Sequence, residues 1–210
     1  MTLKQIGQKN RTDKADHVHS FNGKTYLDWY EKYFQEYKDL PANILEIGVR
    51  DACSLKTWEE FFPNAKIFGI DIEDKKKHDN ERIKTFCGDQ SDTLFINSVI
   101  SQTGPLDIVI DDGSHINHIT LKSFELLFPA LKPGGLYIIE DLLCSYKENI
   151  REDAVQWPGM DKVMDLGHEM INNRRLIDDF ITKLIYDMDH KMGQIEFIAH
   201  HSMFLVIKKV

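Results

Sequence analysis

The chain of 210 residues is 42% hydrophobic, 29% charged and 10% aromatic, a balance that fits one compact α/β domain and excludes a disordered or collagen-like chain. Its formal net charge of -8 argues against nucleic acid as a partner, because such binding rests on Lys and Arg neutralising phosphates. Cys53, Cys87 and Cys144 lack CxxC spacing and fit a reducing compartment better than a disulfide framework or zinc knuckle. Apolar runs such as Met203 to Ile207 fall far short of the roughly 20 residues that span a bilayer, and the N-terminal MTLKQIGQKNRTDK has no apolar signal core. The expectation is a cytoplasmic protein with no membrane partner.

Residues 1–40 are expected to form an N-terminal helical cap. Within it Tyr26, Tyr30, Tyr33, Phe34 and Tyr37 recur at helical intervals and predict an amphipathic helix over Thr25 to Lys38, whose aromatic stripe is read as packing rather than a ligand cage. Ile44 to Gly48 is a strand, Val49 to Cys53 a turn and Ser54 to Phe62 a helix. Further strands are Lys66 to Asp71, Ile83 to Phe86 ahead of Gly88 and Asp89, and Leu106 to Ile110 ahead of Asp111 and Asp112. Leu121, Phe124, Phe128 and Leu131 mark a helix that Pro133, Gly134 and Gly135 stop, and Leu136 to Ile139 is a fifth strand. Strands alternating with helices imply a doubly wound, mostly parallel sheet covered on both faces.

Leu142 to Asn173 is irregular, and its Trp157, Pro158, Gly159 run reads as a loop over the active edge, so 142–175 is expected to be a substrate-covering insertion within a single domain. Ile177, Phe180, Ile181, Leu184, Ile185 and Met188 form a helical stripe. Ile195 to Ala199 and Met203 to Lys208 are too close for a parallel crossover and must pair as an antiparallel hairpin. Lys75 to Lys77 and the pair Arg174, Arg175 are read as solvated faces.

Ligands of open α/β sheets bind beyond the carboxyl ends of the strands. Glu46, Asp71, Asp89, Asp111, Asp112, Glu140 and Asp141 all stand there, which points to a shared function. Gly48, directly after a strand, lets the backbone approach a ligand, but Arg50 and Cys53 replace the later glycines of GxGxxG, so a nicotinamide dinucleotide is disfavoured. Asp71 is placed to accept hydrogen bonds from ribose hydroxyls, with a turn or N-cap aspartate as the alternative. Gly88, Asp89 and Gln90 could contact an adenine edge or form a plain turn.

Asp112, Glu140 and Asp141 put three carboxylates at two strand ends, about 5 Å apart if the strands are neighbours, an all-oxygen set suited to Mg2+. Because successive strand residues point to opposite faces, Glu140 and Asp141 can share an ion only if the chain turns at the strand end. The alternative is that these acids are turn, N-cap or solvated residues. His115 lies three residues beyond Asp112, where a turn at Gly113 could return the imidazole towards the site; an imidazole is the usual side chain for accepting a proton from a hydroxyl, so it could act as a general base, or else cap a helix at the surface.

ExG after the first strand, an acid after the second, GD after the third and the C-terminal hairpin together resemble the Rossmann-like class I S-adenosylmethionine-dependent methyltransferases. ILEIGV, IDDGSH, LFPALKPGGLYIIED and the N-terminal TDK are similar to the metal-dependent sugar O-methyltransferases of the mycinamicin and macrocin type. The resemblance implies S-adenosylmethionine and Mg2+ as cofactors, Asp112, Glu140 and Asp141 as metal ligands, and His115 as the base. It also implies cofactor contacts among Thr12, Glu46, Gly48, Arg50, Ser54, Asp71, Asp89, Gln90 and Asp111. The implied substrate is a vicinal diol on a sugar in a glycoside or sugar nucleotide. A catechol-type phenol and a nucleotide-binding oxidoreductase are the alternatives, and self-assembly is left open. His118, His200 and His201 are expected at the surface, and His17 or His19 reach the site only if the N-terminal segment folds over it.

Overall fold

The structure, a computed structural model, describes residues 1–16, 20–145 and 174–210. Trp157, Pro158 and Gly159, most of the expected 142–175 cover, His17 and His19 lie outside the described residues.

Helix α1 (Leu3–Asn10) starts at a reciprocal capping box between Thr2 and Gln5 and is followed by a 3-10 turn, Asp13–Ala15. A short hairpin of β1 (Ser20–Phe21) and β2 (Lys24–Thr25) leads into α2 (Tyr26–Phe34), where Thr25 and Asp28 form a second capping box. The expected helix to Lys38 ends earlier, because Gln35–Tyr37 tightens into a 3-10 turn. There follow β3 (Asn43–Ile47), α3 (Cys53–Phe61), β4 (Lys66–Asp71), β5 (Ile83–Cys87), α4 (Thr93–Thr103), β6 (Leu106–Asp111) and α5 (Asn117–Leu127). After these come β7 (Leu131–Ile139), α6 (Arg174–Asp189), β8 (Ile195–His200) and β9 (Leu205–Lys209).

Leu131 was expected on the helix and lies in β7 instead. Helix α5 gives way to a 3-10 turn at Phe128–Ala130, where Pro129 has no N–H to continue the ladder, and residues between Leu131 and Leu136 bulge from the pairing with β6.

The main sheet runs β5-β4-β3-β6-β7-β9-β8. Its first five strands are parallel, β9 is antiparallel to β7, and β8 pairs antiparallel with β9, the expected C-terminal hairpin. Strand order reverses between β3 and β6, which opens a crevice at their carboxyl ends. Alternation within each strand sorts the core into two layers. Ile44, Ile108, Ile110, Ile138 and Val206 pack under α1, α2 and α3, whereas Leu45, Ile47, Val109, Tyr137 and Ile139 pack against α4, α5 and α6. No described helix is long and apolar enough to cross a membrane.

Candidate functional site

The same alternation selects the acids. Glu46 follows Ile44 by two residues, Asp112 follows Ile110 and Glu140 follows Ile138, so all three point to the face covered by α1–α3. Ligand oxygens of Glu46, Asp112 and Glu140 lie within 4.8 Å of one another. Asp111 has the opposite parity. Its buried carboxylate accepts from Gln90 Nε2 at 3.2 Å, the Gly113 N–H at 3.3 Å and Tyr137 Oη at 3.3 Å, and burial pushes its pKa up to about 6.

Asp141 also has the opposite parity, but its backbone turns into the left-handed region with φ 52°, and its carboxylate stands beside Asp112 and His115 rather than in the set of Glu46, Asp112 and Glu140, so the two β7 acids do not fall in one set of ligand atoms. Asp141, Asp112 and His115 form a second set with ligand atoms within 4.8 Å of one another. His115 Nε2 stands 3.7 Å from Asp112 Oδ1 and 3.8 Å from Asp141 Oδ2, and His115 itself has φ 54°. Asp112 therefore belongs to both sets, one buried and one half-buried. Glu140 and Asp141 lie on different sides of it.

A lysine stands in the buried set. Lys14 Nζ donates to Asp112 Oδ2 at 2.5 Å and Glu140 Oε2 at 2.6 Å and lies 3.5 Å from Glu46 Oε1. Burial opposes its charge, but Asp112, Glu140 and Glu46 outweigh that and hold its pKa well above the ordinary value. Glu46 Oε2 accepts from Ser54 Oγ at 2.6 Å and Trp58 Nε1 at 3.0 Å. Burial lifts the Glu46 pKa to about 7 against the pull of Lys14. Tyr30 Oη donates to Glu140 Oε1 at 2.7 Å and Tyr26 Oη to Asp141 Oδ1 at 2.6 Å. Burial and then the charge of Asp112 raise the pKa of Glu140.

The residues expected at the cofactor fall into two layers. Gly48, Arg50, Asp71 and Asp89 stand at the rim. Gly48 has φ 91°, and a Cβ there would run into the carbonyl of Asp112, so its immediate role is to let the β3 and β6 ends approach each other. Asp71 Oδ2 accepts from the Val49 and Arg50 amides, each at 3.0 Å, and Oδ1 from Glu73 N at 2.9 Å, which fixes the loop after β3. Arg50 reaches Asp13 at 2.9 Å, and Asp89 caps Ser91 N at 2.7 Å. Thr12, Glu46, Ser54, Gln90 and Asp111 are buried beneath. Gln90 braces the β5 and β6 ends, donating to Ser123 Oγ at 2.7 Å and accepting from Ser114 N at 2.9 Å.

No family profile matches the chain. It is 39% identical over 164 residues to mycinamicin VI 2''-O-methyltransferase of Micromonospora griseorubida, a match covering 75% of this chain and 37% of that protein. It is 35% identical over 189 residues to demethylmacrocin O-methyltransferase of Streptomyces fradiae, covering 87% and 44%. MycE methyltransferase of the mycinamycin biosynthetic pathway, solved in complex with Mg, SAH and Mycinamycin VI, superimposes on 100% of this chain and 54% of its own with a TM-score of 0.78 and 29% identity. Over 75% and 87% of its own length, then, the chain is similar to proteins named as sugar O-methyltransferases. It spans less than half the length of the two curated relatives.

Three contributors to this site are not legible as such in the sequence. Lys14 was visible only as part of TDK. Tyr26 and Tyr30 were read as packing, and their rings do pack, 6.2 Å apart between centroids, but their hydroxyls at positions i and i+4 reach the acids. Tyr30→Phe is expected to keep the packing and remove one donor to buried Glu140, costing about 1–3 kcal/mol in denaturant unfolding; an unchanged midpoint would show that the bond contributes nothing.

His118 and His200 are exposed as expected, but His201 is not a simple surface residue. Its ring lies 4.5 Å from Trp29 and 4.7 Å from Phe204 between centroids, and Nε2 meets Tyr33 Oη at 2.6 Å. Burial, then Lys32 and His200, lower its pKa, so the unfolded chain takes up the proton first. Stability from this group is therefore lost as pH falls from about 6.5 through the lower folded value. In His201→Phe, unfolding midpoints at pH 7.5 and 5.5 should differ less than in wild type; an equal difference removes His201 as the source.

Proposed function

We propose that the chain is the catalytic part of an S-adenosylmethionine- and Mg2+-dependent O-methyltransferase acting on one hydroxyl of a vicinal diol, carried by a sugar in a glycoside or sugar nucleotide. The observation that carries this reading is the set of Asp112, His115 and Asp141 at the reversal of strand order, in a chain similar to MycE, which was solved with Mg, SAH and Mycinamycin VI.

The donor chemistry fits a hard divalent ion. Asp112 Oδ1 and Asp141 Oδ2 are turned to one half-buried space faced by His115, whereas both Glu140 oxygens are engaged by Lys14 and Tyr30. Asp112 and Asp141 would hold the ion, with Glu140 adding its charge from the buried side. When bound, Mg2+ would supply positive charge that lowers the pKa of a coordinated hydroxyl and fixes the diol.

Asp71 accepts three amides and has Lys75 Nζ 3.9 Å from Oδ2, and its Oδ1, which takes only the Glu73 amide, is the oxygen that would meet a ribose hydroxyl. The Gly48 to Arg50 loop and Asp89 would flank the rest of the cofactor. His115, at the mouth between Asp112 and Asp141, takes the hydroxyl proton as the substrate oxygen bonds to the sulfonium methyl and the S–CH3 bond breaks. Holding oxygen and methyl in line supplies much of the rate. The products are a methyl ether and S-adenosylhomocysteine.

Calorimetric titration with S-adenosylhomocysteine, with and without Mg2+, should show binding in the micromolar range; no binding under either condition overturns the assignment. His115→Ala should lower turnover by on the order of 100-fold or more while leaving S-adenosylhomocysteine affinity unchanged, and a wild-type rate near neutral pH would exclude it as the base.

A further inference from the structure

The buried set differs from a plain acidic cluster. Glu46, Asp112 and Glu140 present ligand atoms within 4.8 Å of one another, as a divalent ion requires, but Lys14 Nζ already stands 2.5, 2.6 and 3.5 Å from Asp112, Glu140 and Glu46. Lys14 and Glu46 are 3% and 0% exposed, and Glu46 Oε1 is a buried oxygen with no hydrogen-bond partner, aimed at the ammonium. One positive charge faces three acids there, while Asp112 turns its other oxygen to the half-buried set of His115 and Asp141.

We propose that the site has two cation positions sharing Asp112, and that Lys14 is a built-in cation filling the inner one, so that a single divalent ion is bound at the outer one. This rests on the metal reading given above. Lys14 touches neither of the outer-set partners His115 and Asp141 in any ion pair described, so it acts as a positioning residue: it fixes Asp112 Oδ2 and thereby aims Oδ1 outward. A neutral side chain at position 14 leaves the buried Glu46 and Glu140 carboxylates and the half-buried Asp112 facing one another, and removing one partner of a buried charge group strands the others. The vacated position then has the donors, oxygens only, that suit a second hard cation.

The test is Mn2+ titration of the full chain followed by electron paramagnetic resonance, which reads ion number and proximity without any turnover. Wild type should bind one Mn2+ with the signal of an isolated ion. Lys14→Met should bind two, with a signal broadened by coupling through the shared carboxylate, and Lys14→Met/Glu46→Gln should weaken the second ion at least tenfold. If Lys14→Met is unfolded without metal, its recovery of helical circular dichroism should rise with the second power of free Mn2+. A Lys14→Met protein that binds one Mn2+ with an isolated-ion signal, or refolds with first-power dependence, overturns the proposal. Wild type binding no Mn2+ overturns the metal reading itself and the inner position with it.

Discussion

Asp112→Asn is expected to lower Mg2+-supported methyl transfer by about 1000-fold, equivalent to about 4 kcal/mol of transition-state stabilisation. The size follows from position. Asp112 is shared by both sets of ligand atoms, accepts from Lys14 Nζ at 2.5 Å and faces His115 Nε2 at 3.7 Å. Asparagine keeps the shape and one oxygen but removes the charge that would hold the ion and orient the imidazole. Lys14 keeps Glu140 and Glu46, so the fold should survive with a midpoint lowered by a few degrees. S-adenosylhomocysteine affinity should stay within about threefold of wild type, because Asp112 lies on the substrate side of the proposed cofactor cleft. Calorimetry with Mg2+ and with S-adenosylhomocysteine separates the two effects. Activity within tenfold of wild type would remove the metal mechanism.

Gly48→Ala should destabilise the chain by about 3 kcal/mol or more, which for a chain of this size lowers the thermal midpoint by roughly 6–12 °C. Two causes add. The backbone at Gly48 has φ 91°, a conformation unfavourable for any residue with a Cβ, and that Cβ would overlap the Asp112 carbonyl. Relief requires the β3 and β6 ends to separate, which strains the Asp112 N–H bond to Ile47 O at 3.0 Å and the Asp71 clamp on the following amides. Gly134→Ala is the control. It shares a positive φ, 77°, but has nothing within 4 Å of its Cβ, so only the roughly 1–2 kcal/mol conformational cost should appear. Equal midpoint losses in the two variants would show that the close approach at Gly48 carries no weight.

Most of the sheet was legible because parallel strands buried on both faces write continuous apolar runs, and the few residues between the last two strands allow only an antiparallel hairpin. Boundaries failed where local chemistry is weak. Leu131 keeps the helical period of α5 but joins β7, since Pro129 breaks the ladder two residues earlier. The strand-end acids were legible as a group. Their division was less so, although the two-residue period already separates Glu46, Asp112 and Glu140 from Asp111.

The sequence by itself determined the alternation of elements, the parity that sends each acid to one face, and the family likeness carried by IDDGSH and PGGLYIIED. Only the tertiary structure decided what meets those acids. Lys14 contacts Glu140 across 126 positions and Tyr30 across 110. Such contacts follow from how α1 and α2 dock on the sheet, driven by apolar burial around Leu3, Tyr30 and Trp58, and no local pattern encodes them. The left-handed turn at Asp141 is likewise set by the chain leaving the sheet, and it brings back to the site an acid that parity alone sends away.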